Sequence, residues 1–342
     1  MKKVCIIGHF GFDKTLLNGQ TIKTKVISEV LKKQIGSENV TEIDTHGGVI
    51  SCLKLPIRLF SALRNHMNIV ILPAQNGLRI IAPILNIENH LFNRKLHYVV
   101  IGGWLPEFIR VRNSLKKALQ KFNSILVEVE GMKRALTQQG FKNIDVMPNF
   151  KDIEFLEIDE LVYKNDFPIR VCTFSRVMKE KGIEEAIDAV VRCNNSVKDR
   201  IIYLDIYGQV DQDYVDRFKD IIERAPEYIG YKGMIPSNDS INIIKNYQAL
   251  LFPTYYEGEG FAGTLIDALA AGVPVIASDW RYNAEIIRQN VTGVIYKTTL
   301  YEALYKMIDD INAWNTMKTA CIEEAKKYKP ENAIQILLKR LD

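Results

Sequence analysis

The residues best equipped for chemistry lie between Glu257 and Asp279, in EGEGFAGTLIDALAAGVPVIASD. Two glutamates alternate with glycines directly before an apolar, helix-like run, and Gly272 ends that run ahead of the strand-like VPVIASD. Small residues at Gly260, Ala262 and Gly263 leave the backbone uncovered where the helix begins. The first N–H groups of a helix lack intrahelical acceptors, so here they can donate to phosphate oxygens, with the Thr264 hydroxyl as a further donor. Asp267 stands in an otherwise apolar helix, where an unpaired carboxylate is costly to bury, and sugar hydroxyls would serve it as donors. Taken singly, Glu257 and Glu259 also fit plain complementarity to the helix dipole, and Asp267 fits a salt bridge.

A second cluster lies in CTFSRVMKEKG, where a buried strand ends at Ser175 and Arg176 and a helix starts after Gly182. Arg176 and Lys181 then sit at a strand's carboxyl end, the edge where doubly wound sheets bind ligands. A forked guanidinium and a compact ammonium beside a helix start can hold a diphosphate, although the two residues alone also fit a solvated basic loop. The N-terminal IGHFGFDKTLLNGQTIKT fails as a dinucleotide fingerprint, because Gly8 and Gly11 are followed by bulky Phe12 and a longer loop to Gly19. Its NGQT end still offers backbone N–H groups at Gly19, with Asn18 and Gln20, while a simple cap at Thr21 explains it equally well. The Asp211 to Asp213 stretch, DQD, has metal-binding spacing but reads as a solvated loop, so no essential metal is expected.

These residues need a scaffold that presents strand ends. Short apolar, β-branched runs alternate with amphipathic stretches along all 342 residues, the pattern of two βαβ-built sheets with helices. The strand candidates are KVCIIG, NIVILPA, LHYVVIGG, SILVEV and NIDVMPN in the first half, then IRVCTFSR, IIYLDIYG, ALLFPTYY and VPVIASD. The acidic KDIEFLEIDELVYKNDFP between the halves reads as a linker or solvent-facing segment. The domains expected are 1–165, 166–314 and helices in 315–342 that pack back toward the first. The five cysteines form neither CxxC nor a Cys/His cluster, which disfavours disulfides and structural zinc and fits a cytoplasmic chain. The start, MKKVCIIGHFGF, reads as a first strand rather than a signal segment, and no apolar run is long enough to span a bilayer.

Together FSRVMKEKG and FPTYYEGEGFAGTLIDALAAGVPVIASDWRYNAEII resemble the retaining, nucleotide-sugar-dependent glycosyltransferases of family 4. The likeness is specific over about residues 170 to 296 and looser in the first half, where NGQTIKT, IGGW and VMPNF occupy comparable places. It implies a GT-B fold, two Rossmann-like doubly wound parallel-sheet domains facing a central cleft. The family pattern of Glu, Gly, Phe, Gly and a second Glu falls in register on Glu259, Gly260, Phe261, Ala262 and Asp267, and Glu257 is out of register. The resemblance implies that Glu259 contacts the donor sugar, Asp267 the ribose, and the Ala262, Gly263 and Thr264 backbone the diphosphate. It gives Arg176 and Lys181 the charge of the leaving group, and places Gly233 and Met234 of YKGMIP at the base. This chain departs from the family at Asp267 and Ala262, and lacks the His often found near VVIGGWLPEF, so Gly102, Gly103 and Trp104 are assigned to the acceptor side.

The same resemblance implies a metal-independent, retaining hexosyltransferase that needs no cofactor. The donor is a nucleoside diphosphate sugar, with UDP favoured over GDP. The acceptor is a saccharide, lipid-diphosphate-linked, in O-antigen or capsule assembly. No nucleic-acid partner is expected. Between residues 51 and 121 eleven Lys or Arg face only Glu88 and Glu107, and LKLPIRLFSALRNH could rest on an anionic membrane at the inner face of the cell membrane. Solvated faces balanced by distant acids are the competing account of that charge. A nucleotide-sugar epimerase on a similar scaffold, or a non-catalytic sugar-nucleotide-binding subunit, remains the alternative.

Overall fold

The computed structural model describes residues 2–11, 19–47, 49–164, 166–197 and 201–341. They form two compact units, one of Met1–Asp152 with Lys329–Asp342 and one of Ile153–Tyr328.

The first unit holds six parallel strands, β1 (Lys2–Gly8), β2 (Val40–Asp44), β3 (His66–Ile71), β4 (Lys95–Val99), β5 (Ser124–Val127) and β6 (Ile144–Val146), in the order β2-β1-β3-β4-β5-β6. The inner strands are mainly apolar, as Val4, Ile6, Val70, Val99 and Leu126 show, with His66, Asn68, His97 and Ser124 buried among them. Helix Gly19–Ile35 packs Ile27, Val30 and Leu31 on this sheet, and the last helix, Pro330–Leu341, adds Ile334 and Leu337 to the same core.

The second unit repeats the plan with β7 (Ile169–Phe174), β8 (Ile202–Tyr207), β9 (Ile229–Gly233), β10 (Ala249–Phe252), β11 (Val275–Ser278) and β12 (Gly293–Tyr296), in the order β12-β11-β10-β7-β8-β9. All neighbours are parallel, and the central pair β7 and β10 aligns Val171 with Ala249 and Cys172 with Leu250. Strand order reverses between β7 and β10, and the crevice beyond their carboxyl ends is where such sheets take ligands.

The boundary falls at Asp152, not at 165. The acidic segment expected to be a linker is built into the second unit: Leu156 is buried and its N–H donates to Ala270 O at 3.1 Å, and Leu161 is buried beside Gly272. The later boundary moves from 314 to Tyr328, because helix Ile311–Ala325 packs on helix Gly263–Ala270 of the second unit and only the helix after it joins the first.

Candidate active site at the carboxyl ends of β7 and β10

After β7 the chain runs through Ser175 and Arg176 into a short turn, Lys179–Lys181, and reaches helix Ile183–Ser196 through Gly182. Gly182 has φ 70°, and a Cβ there would stand 2.1 Å from Pro253 O. Only glycine lets the two strand ends approach this closely. The contact is sealed by Tyr255 N–H donating to Glu180 O at 2.8 Å.

This approach brings Lys181 to Glu259. Their side chains form an ion pair and are 13% and 8% exposed. The Thr254 hydroxyl donates to the same carboxylate oxygen, Oε2, at 2.9 Å. The Lys181 ammonium also lies 5.5 Å from the Phe252 ring centroid and 5.2 Å from that of Tyr256. A cation so enclosed keeps its charge near the site at little conformational cost. Thr254 and Tyr256 carry no periodic signal and were not legible in sequence.

Glu259 leads into the helix start. Gly260 is buried, and Phe261 turns inward to meet Tyr328 edge-on at 4.7 Å. Ala262 is the N-cap in extended conformation and makes no side-chain cap. Among the described residues the N–H groups of Gly263 and Thr264 donate to no backbone carbonyl, and the buried Thr264 hydroxyl has no hydrogen-bond partner. Three donors at one helix start therefore lack an acceptor among the described residues. Asp267, in the second turn, is 3% exposed and has a partner within the protein, so its burial does not by itself require a sugar.

Glu257 points elsewhere: it is 74% exposed and pairs with Arg281. Arg281 occupies the left-handed region at φ 50°, and the neighbouring Trp280 indole donates to Tyr256 O at 2.8 Å. Arg176 is 57% exposed and reaches Asp211 Oδ2 at 3.4 Å, so its partner is Asp211 and not Glu259. Asp211 in turn caps the turn Gln212–Tyr214, which gives the DQD spacing a local structural use. Gly233 and Met234 follow at the end of β9, where Gly208 N–H donates to Gly233 O at 2.9 Å and Met234 is exposed.

Of the residues assigned to the donor, Gly19 and Gln20 belong to the first unit and the others to the second. Gln20 Nε2 donates to Leu72 O at 3.2 Å beside the end of β3, while Phe12 and Asn18 lie outside the described residues. Gly102 and Gly103 follow β4, and the Trp104 indole donates to Ile101 O at 2.8 Å within its own loop. Sequence reading missed a network at the same edge. His9 Nδ1 and Thr21 Oγ1 are 2.7 Å apart, His9 Nε2 and His46 Nδ1 2.9 Å apart, and Asp44 Oδ1 accepts the N–H of Phe10 at 2.9 Å and of His46 at 2.8 Å. Burial, then the neighbouring His46, lowers the His9 pKa from its ordinary value. A histidine one residue past a strand end was the available signal.

Two parallel six-stranded sheets with helices are the architecture of GT-B glycosyltransferases. The fold is similar to that of Anabaena Alr3699/HepE in complex with UDP (TM-score 0.74, 16% identity, 100% of this chain and 99% of that one). Sucrose-phosphate synthase from Thermosynechococcus elongatus aligns over the same shares with TM-score 0.76 at 15% identity. Residues 157–328 match the family model of glycosyl transferases group 1, and the chain belongs to that family. Among curated relatives, the GtfA subunit of the UDP-N-acetylglucosamine–peptide N-acetylglucosaminyltransferase of Streptococcus gordonii is 32% identical over 47% of this chain and 31% of its own length. The chain thus spans about a third of that relative. The uncharacterized glycosyltransferase MJ1069 of Methanocaldococcus jannaschii is 22% identical over 64% of this chain and 56% of its own length.

Proposed function

We propose that this glycosyltransferase is a retaining, family 4 enzyme that moves a hexose from a UDP-sugar to a saccharide acceptor. The observation that carries the reading is the unsatisfied helix start at Gly263 and Thr264, four residues past a Glu259 held by Lys181. A diphosphate would satisfy the donors, and Lys181, with Arg176 from the neighbouring loop, would stabilise the charge that grows on it as the sugar–oxygen bond breaks. Glu259, fixed through Oε2 by Lys181 and Thr254, would keep Oε1 for a donor-sugar hydroxyl. Asp267 would reach the ribose, and Gly233 and Met234 the base. Arg and Lys would supply the charge a metal supplies elsewhere, so turnover without magnesium belongs to the proposal.

The uridine preference leans on relatives named for UDP-N-acetylglucosamine or captured with UDP. The acceptor half would be the first unit, with Gly102, Gly103 and Trp104 beside the acceptor. A lipid-diphosphate-linked saccharide in O-antigen or capsule assembly would bring the protein to the inner face of a membrane. A protein acceptor is the second reading, favoured by the 32% identity to a peptide N-acetylglucosaminyltransferase subunit.

A thermal-shift panel of UDP, GDP, UDP-glucose and UDP-N-acetylglucosamine, with and without magnesium, tests the donor. Stabilisation by the uridine nucleotides alone, unchanged by magnesium, is expected. Equal response to GDP, or none to any nucleotide, overturns the donor reading. The anomeric coupling constant of the transferred sugar in the product reports retention.

A further inference from the structure

Two helices on one face of the first sheet turn apolar side chains outward as well as inward. The crossovers from β2 to β3 and from β3 to β4 advance in one direction across the sheet, so right-handed connections put their helices, Val49–Asn65 and Gln75–Asn89, on a common face, where they pack on each other. Leu55, Leu59, Ala62 and Leu63 fill the inward side of the first helix. On the outward side Leu53 and Ile57, one turn apart, are each 74% exposed, and Phe60 continues the row. From the second helix Ile87 is 71% exposed, and Leu91 just beyond it 74%. The Phe60 and Phe92 rings meet edge-on at 5.0 Å and join the two rows. A helix that covers a sheet needs one apolar stripe, and this pair carries a second that nothing among the described residues of the unit covers.

The charge around the rows has one sign. Lys54, Arg64 and Arg79 are exposed, and among the described residues none of them has an acidic partner. Glu88 is the one acid between residues 49 and 94. Burial raises the pKa of its carboxyl from the ordinary value.

We propose that this face rests on an anionic lipid surface. Leu53, Ile57, Phe60, Ile87 and Leu91 enter the headgroup layer, while the lysine and arginine stems extend so that their charges meet lipid phosphates. Aliphatic rows flanked by cations alone are complementary to such a surface, whereas a protein-binding core tends to be depleted of charge. The inference stands apart from the donor reading and does not depend on which sugar is moved.

Flotation with vesicles of phosphatidylglycerol and phosphatidylcholine, against pure phosphatidylcholine, tests it. Most of the full chain should float with the anionic vesicles at low salt, little with the neutral ones, and less as salt rises. The double variant Leu53→Ser/Ile57→Ser, and separately Lys54→Glu/Arg64→Glu, should each lower the apparent affinity at least tenfold. Both replace exposed side chains, so melting temperature and stabilisation by UDP should stay at the wild-type value, which separates loss of the surface from loss of the fold. Binding that ignores lipid charge, absent binding by a folded, UDP-responsive protein, or unchanged binding by either variant overturns the proposal. So does a dimer in solution that Leu53→Ser/Ile57→Ser abolishes, which would give the face to a second copy.

Discussion

Lys181 and Glu259, 78 positions apart in the chain, share one ion pair where β7 and β10 end side by side. The pair is largely closed to water, so each partner holds the other's charge in place before any ligand arrives. An incoming diphosphate must therefore compete with Glu259 for Lys181. Glu259→Gln keeps the shape and removes the competing charge: UDP should bind as tightly as to the wild type or several-fold tighter, while sugar transfer falls at least a hundredfold. Calorimetric titration with UDP beside a transfer assay checks both. Weaker UDP binding by the variant would show that the pair serves the fold and not the ligand.

The Thr264 hydroxyl offers a cleaner probe, because it is buried without a partner among the described residues. Thr264→Val removes a group that satisfies nothing in the free protein, so the melting temperature without ligand should hold or rise slightly. Stabilisation by UDP should shrink, with affinity down about tenfold, the size of one lost hydrogen bond to a charged group. A variant with wild-type UDP affinity would remove the hydroxyl from the diphosphate site.

Glycine is required at position 182 for two reasons, one of which is absent at position 233. Gly182 and Gly233 both have left-handed φ, 70° and 78°, but a Cβ at 182 would collide with Pro253 O whereas one at 233 meets nothing within 4 Å. Gly233→Ala should cost about 1 kcal/mol in urea unfolding, the backbone preference alone. Gly182→Ala should cost at least about 3 kcal/mol and also weaken UDP binding, because relief of the clash moves the Lys181 turn. Similar losses at the two positions would contradict this contrast.

His97 makes the first unit sensitive to acid. It is fully buried between Ser124 Oγ at 2.8 Å and Asn68 Oδ1 at 3.1 Å, and burial, with help from Lys95, lowers its pKa to about 4. The unfolded chain takes up the proton near pH 6.5 and the folded chain does not until about pH 4, so stability rises with pH across this window and is lost as pH falls through it. The contribution is on the order of 3 kcal/mol. Urea midpoints measured from pH 7 to 4 should fall more steeply for the wild type than for His97→Gln. Parallel slopes would assign the acid sensitivity to other groups.

Much of this was legible in the chain. Interior strands announce themselves by apolar runs: ALLF is buried and apolar at every position, and IRVCTF keeps the signal although Arg170 is exposed and Thr173 is polar. The strands that escaped notice, β2, β9 and β12, lie at sheet edges, where partial exposure admits Glu42, Lys232 and glycines and dissolves the apolar run. The acidic stretch after residue 152 misled for a related reason: Leu156 and Leu161 anchor it at two points, too few for a periodic signal.

The sequence alone determined the residue kinds and their local order: a bare-backbone helix start after Glu259, a basic loop after a strand, and the register that separates Glu259 from Glu257. The first two are properties of neighbours in the chain, which local backbone chemistry decides, and the register follows from the resemblance to family 4. Which charges pair was settled only by the tertiary structure, since Lys181 meets Glu259, Arg176 meets Asp211 and Glu257 meets Arg281 across separations that no spacing rule reaches. The parallel alignment of β7 with β10 and the missing Cβ at Gly182 make the first of those meetings possible. A side chain's partner depends on which strand ends the sheet places together, and that is a property of the whole fold.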